Sequence, residues 1–208
     1  MKLLHINAST RGTESQSLGV AQHFISTLQQ HTAIELEQLD LFQEHLPAFD
    51  GVSVGAKMAL FTGTDANSEQ ITAWETARAV FDRFAAANAY VFNIPLWNNG
   101  IPYVLKQFID LITQPGWTFS FDPKQGYTGM LKHKKALVVH ASGVYYAGIP
   151  KGFGDDFSSP YINSWLKFIG IHEIDQIHIS PTVINPHYPL TKAKAHDQAE
   201  HIAQQWIL

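Results

Sequence analysis

Five short apolar runs, each followed by a stretch with helical spacing, constrain this chain more than any other feature. They are Leu3–Ala8, Ala33–Leu39, Ala89–Ile94, Ala136–His140 and Ile174–Ile179. The third and fourth are dense enough to be buried on both faces of a parallel sheet. Between and after them, apolar residues recur at helical intervals. These are Leu18 to Leu28, Ile71 to Phe84, Val104 to Ile112, Ile162 to Ile169 and Leu190 to Trp206. Repeated strand–helix units with short loops imply a parallel sheet covered on both faces. The expected fold is α/β, a doubly wound five-stranded parallel sheet of the flavodoxin-like order with helices on both faces, in a single domain spanning residues 1–208.

Two segments interrupt this alternation. Val52 to Phe61 reads as a short inserted helix. Trp117–Phe121 and Tyr127–Met130, separated by Asp122–Gly126, read as a hairpin or flap. Asn67 or Ser68 can cap the helix that carries Ile71, Trp74, Ala77, Val80, Phe81 and Phe84. Pro102 suits the first turn of the helix after it.

Composition removes several function classes. A formal net charge of −4 provides no basic footprint for nucleic acid. The absence of cysteine excludes disulfides, thiolate chemistry and cysteine-ligated zinc, and is compatible with the cytoplasm. No run is apolar enough to span a membrane, and the amino-terminal residues do not form a signal peptide. The histidines carry no ligand spacing: His196 and His201 are not four apart, so no metal is expected. Gly51–Val52–Ser53–Val54–Gly55 has the Gly-x-Ser-x-Gly spacing, but it opens the inserted helix with no strand before it, so it does not read as a nucleophile elbow.

Three loops follow strands and converge along one sheet edge in such a fold: Ser9–Ser17, Pro95–Gly100 and Ala141–Tyr146. The first opens a helix, whose terminus carries unpaired N–H groups and partial positive charge. With its hydroxyls it suits a phosphate, yet it is neither a Walker loop nor a Gly-x-Gly-x-x-Gly turn. A phosphate held by hydroxyls and backbone without lysine suits a mononucleotide such as FMN. The same residues also suit a plain turn with hydroxyl caps. The second loop offers Leu96, Trp97, Asn98 and Asn99, an apolar and amide-lined surface. Trp97 also suits the core, and the two asparagines also suit a helix cap ahead of Pro102. The third offers Gly143, where backbone can approach a ring, beside Tyr145 and Tyr146, which equally suit a dimer contact. Together the loops describe a flavin mononucleotide pocket.

These residues resemble the FMN-dependent NADH-azoreductase family, within the flavodoxin-like NAD(P)H:quinone oxidoreductases. The resemblance lies in Ser9 with Ser15–Gln16–Ser17, and in Pro95–Leu96–Trp97–Asn98–Asn99–Gly100 with the helix after it, and runs along essentially the whole chain. It implies that Ser9, Ser15, Gln16 and Ser17 hold the FMN phosphate. It implies that Leu96, Trp97, Asn98 and Asn99 line the ribityl chain and ring, and that Ala141, Ser142, Gly143 and Val144 lie at the pyrimidine side. Two departures stand out. Asn99 replaces a frequent Phe, and Ala141–Val144 replaces a common Ser-Arg-Gly-Gly run. FMN binding tolerates these changes more easily than azo-dye turnover does.

The expected activity is two-electron ping-pong transfer from NADH or NADPH, through FMN, to a quinone, azo compound or similar flat acceptor. Tyr145 and Tyr146, or solvent, are the candidate proton sources. The resemblance implies a homodimer in which the Trp117–Tyr127 flap reaches the partner's site. The alternative reading is a flavodoxin-type electron carrier without a substrate of its own.

Overall fold

The computed structural model describes residues 1–207. Its main sheet has five parallel strands in the order β2-β1-β3-β6-β7. These are β1 (Lys2–Asn7), β2 (Glu35–Asp40), β3 (Ala89–Pro95), β6 (Lys135–Ala141) and β7 (Glu173–Ile179). This is the expected doubly wound order. The central strands β1, β3 and β6 are buried almost throughout, whereas the edge strands β2 and β7 are partly exposed. That difference follows from covering both faces of the middle of a sheet but not its margins.

Six α-helices cover the sheet among the described residues. On one face, α1 (Gln16–His31) and α6 (Tyr188–Ile207) enclose Leu3, Val91, Leu137 and Ile177. On the other, α3 (Ser68–Ala85), α4 (Tyr103–Ile112) and α5 (Ser158–Phe168) enclose Leu4, Ile6, Phe92 and Val138. Successive residues of one strand thus feed opposite cores, as the period of two requires. The inserted helix α2 (Gly51–Thr62) starts at Asp50, whose carboxylate accepts from the N–H groups of Val52 and Ser53. It ends at Gly63, which has a positive φ of 67°. Asn67, not Ser68, caps α3, in a reciprocal pair with Gln70.

The structure corrects several sequence expectations. The second strand begins at Glu35, two residues later than Ala33, and the helix that carries Ile162 begins at Ser158. Pro102 is the residue before α4, not part of its first turn. Ile71 and Leu190 are exposed, because α3 and α6 bury narrower stripes than their periodicity suggests. Trp117 does not belong to an exposed flap. It is buried, stacked on Phe81 at 5.4 Å and tilted against Trp74 at 4.6 Å. The hairpin proper is β4 (Phe119–Asp122) with β5 (Gly126–Gly129), outside the main sheet. Its base presses on the end of α5, where Phe119 meets Phe168 at 5.0 Å.

Candidate functional site at the carboxyl ends of the strands

At the end of β1 the chain turns through a short 3-10 segment, Gly12–Glu14, into α1. Ser15 is the N-cap: its hydroxyl accepts from Leu18 N–H at 3.3 Å and lies 3.4 Å from Ser17 Oγ. Ser9 Oγ accepts from Arg11 N–H at 3.4 Å. All three serines are buried, and every one of these contacts is long for a hydroxyl hydrogen bond. Their hydroxyl protons are therefore uncommitted to strong acceptors, at the end of a helix whose first-turn N–H groups have no intrahelical acceptor. That donor set fits a phosphate. The Gln16 side chain is engaged elsewhere: its Nε2 donates to Glu14 O at 3.1 Å, and its Oε1 accepts from the Tyr188 hydroxyl. Gln16 therefore offers its backbone N–H and the one Nε2 proton not given to Glu14.

A chain of polar side chains, buried at His5, Asn7 and Asn93 and half-buried at Asp40, adjoins this loop. His5 Nε2 meets Asn93 Oδ1 at 2.8 Å, Asn93 Nδ2 donates to Asn7 Oδ1 at 2.7 Å, and Asn7 Nδ2 donates to Asp40 Oδ2 at 2.8 Å. Burial holds the His5 imidazole below its usual pKa, against the opposing effect of Asn93. Asn93 Oδ1 can only accept, so the neutral His5 ring carries its proton on Nε2.

The second loop is a tight turn. Trp97 and Gly100 exchange backbone hydrogen bonds of 2.9 and 2.8 Å, with Asn98 and Asn99 between them at φ values of 48° and 64°. Two successive left-handed residues make a primed turn, and asparagine tolerates that conformation better than most residues. The asparagines are thus turn formers here, and α4 starts without a side-chain cap. Asn99 O accepts from Phe157 N–H at 2.7 Å, tying this turn to the segment before α5. Leu96 N–H donates to Ala141 O at 2.8 Å, which joins the second loop to the third. Trp97 is half-buried and tilted against Phe42 at 5.7 Å.

In the third loop, Ser142 O accepts from Thr182 N–H at 2.9 Å and Gly143 O accepts from Val183 N–H at 2.9 Å. Ala141 and Val144 flank them, half-buried. Beneath this loop, on the α5 side, a cavity of about 320 Å³ is lined by Leu96, His140, Tyr145, Tyr146, Ser158 and His178, among others. His140 and His178 face each other across β6 and β7 with ring centroids 4.9 Å apart. Burial, reinforced by His178, pushes the His140 pKa down to about 3, so this imidazole is neutral at ordinary pH. Its Nε2 and the Ser158 hydroxyl have no partner among the described residues. Asp156 accepts from Ser158 N–H, Ser159 N–H and the Ser159 hydroxyl at 2.8, 2.9 and 2.6 Å. Burial alone would raise its pKa, but these bonds and the nearby His140 hold it low.

The second and third loops are joined directly, and the first leaves the same, carboxyl end of the sheet. The sequence does not single out His5, Asn7, Asp40 and Asn93 beside the first loop, or His140, Asp156 and His178 at the cavity under the third. A signal was present: Asn7 and Asn93 are uncharged polar residues inside otherwise apolar strand runs, each near a carboxyl end.

Comparison with known proteins places the chain among flavodoxin-like proteins. The family model described as flavodoxin-like fold matches residues 1–206. An FMN-dependent NADH:quinone oxidoreductase of Ruegeria pomeroyi is 41% identical over 184 residues, covering 88% of this chain and 90% of that one. FMN-dependent NADH:quinone oxidoreductase 3 of Pseudomonas fluorescens is 36% identical over 208 residues, covering 98% and 96%. The crystal structure of an FMN-dependent NADH-azoreductase from Bacillus anthracis in complex with FMN superposes with a TM-score of 0.88. It is 27% identical and covers 100% of this chain and 99% of that chain.

Proposed function

The chain belongs to the flavodoxin-like family that includes the FMN-dependent NADH:quinone oxidoreductases, and from that premise we propose how its site works. It is an FMN-dependent NAD(P)H oxidoreductase acting on quinones or azo compounds, with NADH as donor. FMN, when bound, would supply the two-electron hydride chemistry that links the nicotinamide donor to a flat acceptor, and the chain's own residues hold and orient it. The observation that carries this reading is the set of buried serine hydroxyls with long contacts at the start of α1, beside two further loops tied to each other.

Each part of the site then has a task. Ser9, Ser15 and Ser17 donate hydroxyl protons to the phosphate, and Gln16 and Ser17 contribute helix N–H groups. Leu96, Trp97, Asn98 and Asn99 shape the wall for the ribityl chain and ring. Ala141, Ser142, Gly143 and Val144 present backbone to the pyrimidine edge, where fixed dipoles stabilise charge that develops on reduction. Holding the Ser142 and Gly143 carbonyls on Thr182 and Val183 keeps that backbone in one orientation. The phenol Oη of Tyr145 or Tyr146, or solvent, supplies the proton that accompanies hydride delivery to a quinone.

The chain works as one domain and as a homodimer. Phe121 and Tyr127 on the hairpin are 59% and 63% exposed, apolar surface that a partner subunit would cover. No helix among the described residues is long and apolar enough to cross a membrane, and a cysteine-free chain suits the cytoplasm. The test is direct. Purified protein incubated with FMN and desalted should be yellow and bleach on anaerobic addition of NADH. Colourless protein overturns the reading. A one-electron form that accumulates on photoreduction, without bleaching by NADH, would favour an electron carrier instead. Sedimentation of an active, flavin-loaded monomer would remove the dimer.

A further inference from the structure

Asn7 is a buried side chain whose hydrogen-bonding capacity is fully used, half of it on Ser9 at the start of the serine loop and half on the neighbouring strands. Its Oδ1 accepts from Ser9 N–H at 3.0 Å and from Asn93 Nδ2 at 2.7 Å. Its Nδ2 donates to Ser9 O at 3.3 Å and to Asp40 Oδ2 at 2.8 Å. An amide has two lone pairs and two protons to offer, and all four are committed. One amide thus clasps the backbone of Ser9 from both sides and anchors it to β2 and β3.

The direction of the chain is also determined. His5 Nε2 donates to Asn93, Asn93 donates to Asn7, and Asn7 donates to the Asp40 carboxylate. All the dipoles run toward one negative charge, so none of the amides can flip without leaving a buried group unpaired. Asp40 is held in turn by Phe42 N–H at 3.0 Å. Backbone bonds run parallel to this chain: Ala8 N–H donates to Asn93 O at 3.1 Å, and Leu41 N–H donates to Asn7 O at 3.0 Å. One consequence concerns Ser9. Its N–H is spent on Asn7, so it can meet an anion only through its hydroxyl, whose placement depends on where Asn7 holds the backbone.

We propose that Asn7 is a positioning residue that confers selectivity for a phosphorylated flavin, by fixing the Ser9 backbone so that the Ser9 hydroxyl joins those of Ser15 and Ser17 around one phosphate. Asn93 and Asp40 support it from the neighbouring strands. The inference rests on the FMN reading above and adds a determinant of specificity to it. Asn7 makes no hydrogen bond to Leu96–Asn99 or Ala141–Val144, so its effect should fall on the phosphate rather than the ring.

The experiment compares two ligands that share the ring and differ in the phosphate. Full-length apoprotein is titrated with FMN and with riboflavin, following flavin fluorescence, for the wild type, Asn7→Ala and Asn93→Ala. Asn7→Ala should weaken FMN at least tenfold and leave riboflavin within twofold. Asn93→Ala, one bond further from the loop, should shift the FMN-to-riboflavin ratio in the same direction by about threefold. Should Asn7→Ala fail to fold by circular dichroism, the Asn93→Ala ratio decides. Equal losses for both ligands would make Asn7 a support of the fold only and overturn the proposal, as would an unchanged ratio. A wild type that binds neither flavin removes the FMN reading itself. A wild type that prefers FMN, with variants that keep the preference, removes only this inference.

Discussion

At the carboxyl end of β1, all four hydrogen-bonding positions of the Asn7 amide are filled; at that of β6 and β7, His140 Nε2 and Ser158 Oγ border a cavity with no partner among the described residues. The first region has one arrangement, because any rearrangement strands a buried donor or acceptor at a cost of roughly 1–3 kcal/mol. The second carries such unpaired groups already, and its loops turn through glycine at 143, 148, 152 and 154. The β1 end is thus prebuilt by neighbouring strands, whereas the β6–β7 end is built from loops held at a few backbone contacts. An enzyme that takes a constant cofactor and variable flat acceptors is served by that division.

The largest expected effect would break the prebuilt end. The double variant Ser15→Ala/Ser17→Ala removes two hydroxyl donors to a charged group, each worth roughly 1.5–3 kcal/mol. FMN affinity should fall at least 100-fold in a fluorescence titration. Riboflavin affinity should change little. Part of any drop in melting temperature will reflect the lost cap at Ser15, about 1 kcal/mol.

A second substitution asks how firmly the hairpin is seated. A Cβ on Gly129 would lie 2.3 Å from Gly170 N and 2.5 Å from Gly170 Cα, both backbone atoms. Gly170 has a φ of 105° and ends α5, so it cannot readily move aside. Gly129→Ala should cost about 3 kcal/mol in urea unfolding. A loss below about 1 kcal/mol would mean that the hairpin swings freely and belongs with the adaptable half.

Acid should act through the β6–β7 end. His140 has a folded pKa of about 3, depressed by burial from the ordinary 6.5. Below pH 6.5 the unfolded chain binds a proton there that the folded chain refuses, so stability is lost as pH falls from 6.5 toward 3. Between pH 6.5 and about 5 this one histidine should cost about 2 kcal/mol. His5 and His178, also depressed by burial, act in the same direction. Urea unfolding at the two pH values should show a smaller difference in His140→Asn than in the wild type. An unchanged difference would mean that the cavity admits a proton without unfolding.

The smallest effect is expected at the tyrosines. Tyr145→Phe and Tyr146→Phe should each slow quinone turnover by roughly threefold, since solvent can supply the same proton. Flavin content should not change, and its loss would move these residues from proton supply to cofactor binding.

Much of this architecture was legible because strand burial writes itself into composition. Leu137–Val138–Val139 and Tyr90–Val91–Phe92 are apolar without interruption, and only a strand covered on both sides requires that. The loops were placed by topology once the strands were known. Trp117 was misread because a loop aromatic that turns inward leaves the same local pattern as one in an exposed hairpin. The asparagines at 98 and 99 were read as caps or contacts, and their role in a primed turn is a matter of backbone angles. The polar chain was hidden for another reason. Its members stand 86 residues apart at Asn7 and Asn93, and 33 apart at Asn7 and Asp40.

The amino-acid sequence alone determined the alternation of strand and helix, the sheet order it permits and the hydroxyl-bearing turn ahead of α1, because periodicity and capping are local properties of adjacent residues. Only the tertiary structure decided which polar groups share a buried bond, which way the amides of Asn7 and Asn93 point, and where His140 stands with an unpaired nitrogen. Those depend on register between strands distant in the chain, where one shifted residue would turn each side chain to the opposite face.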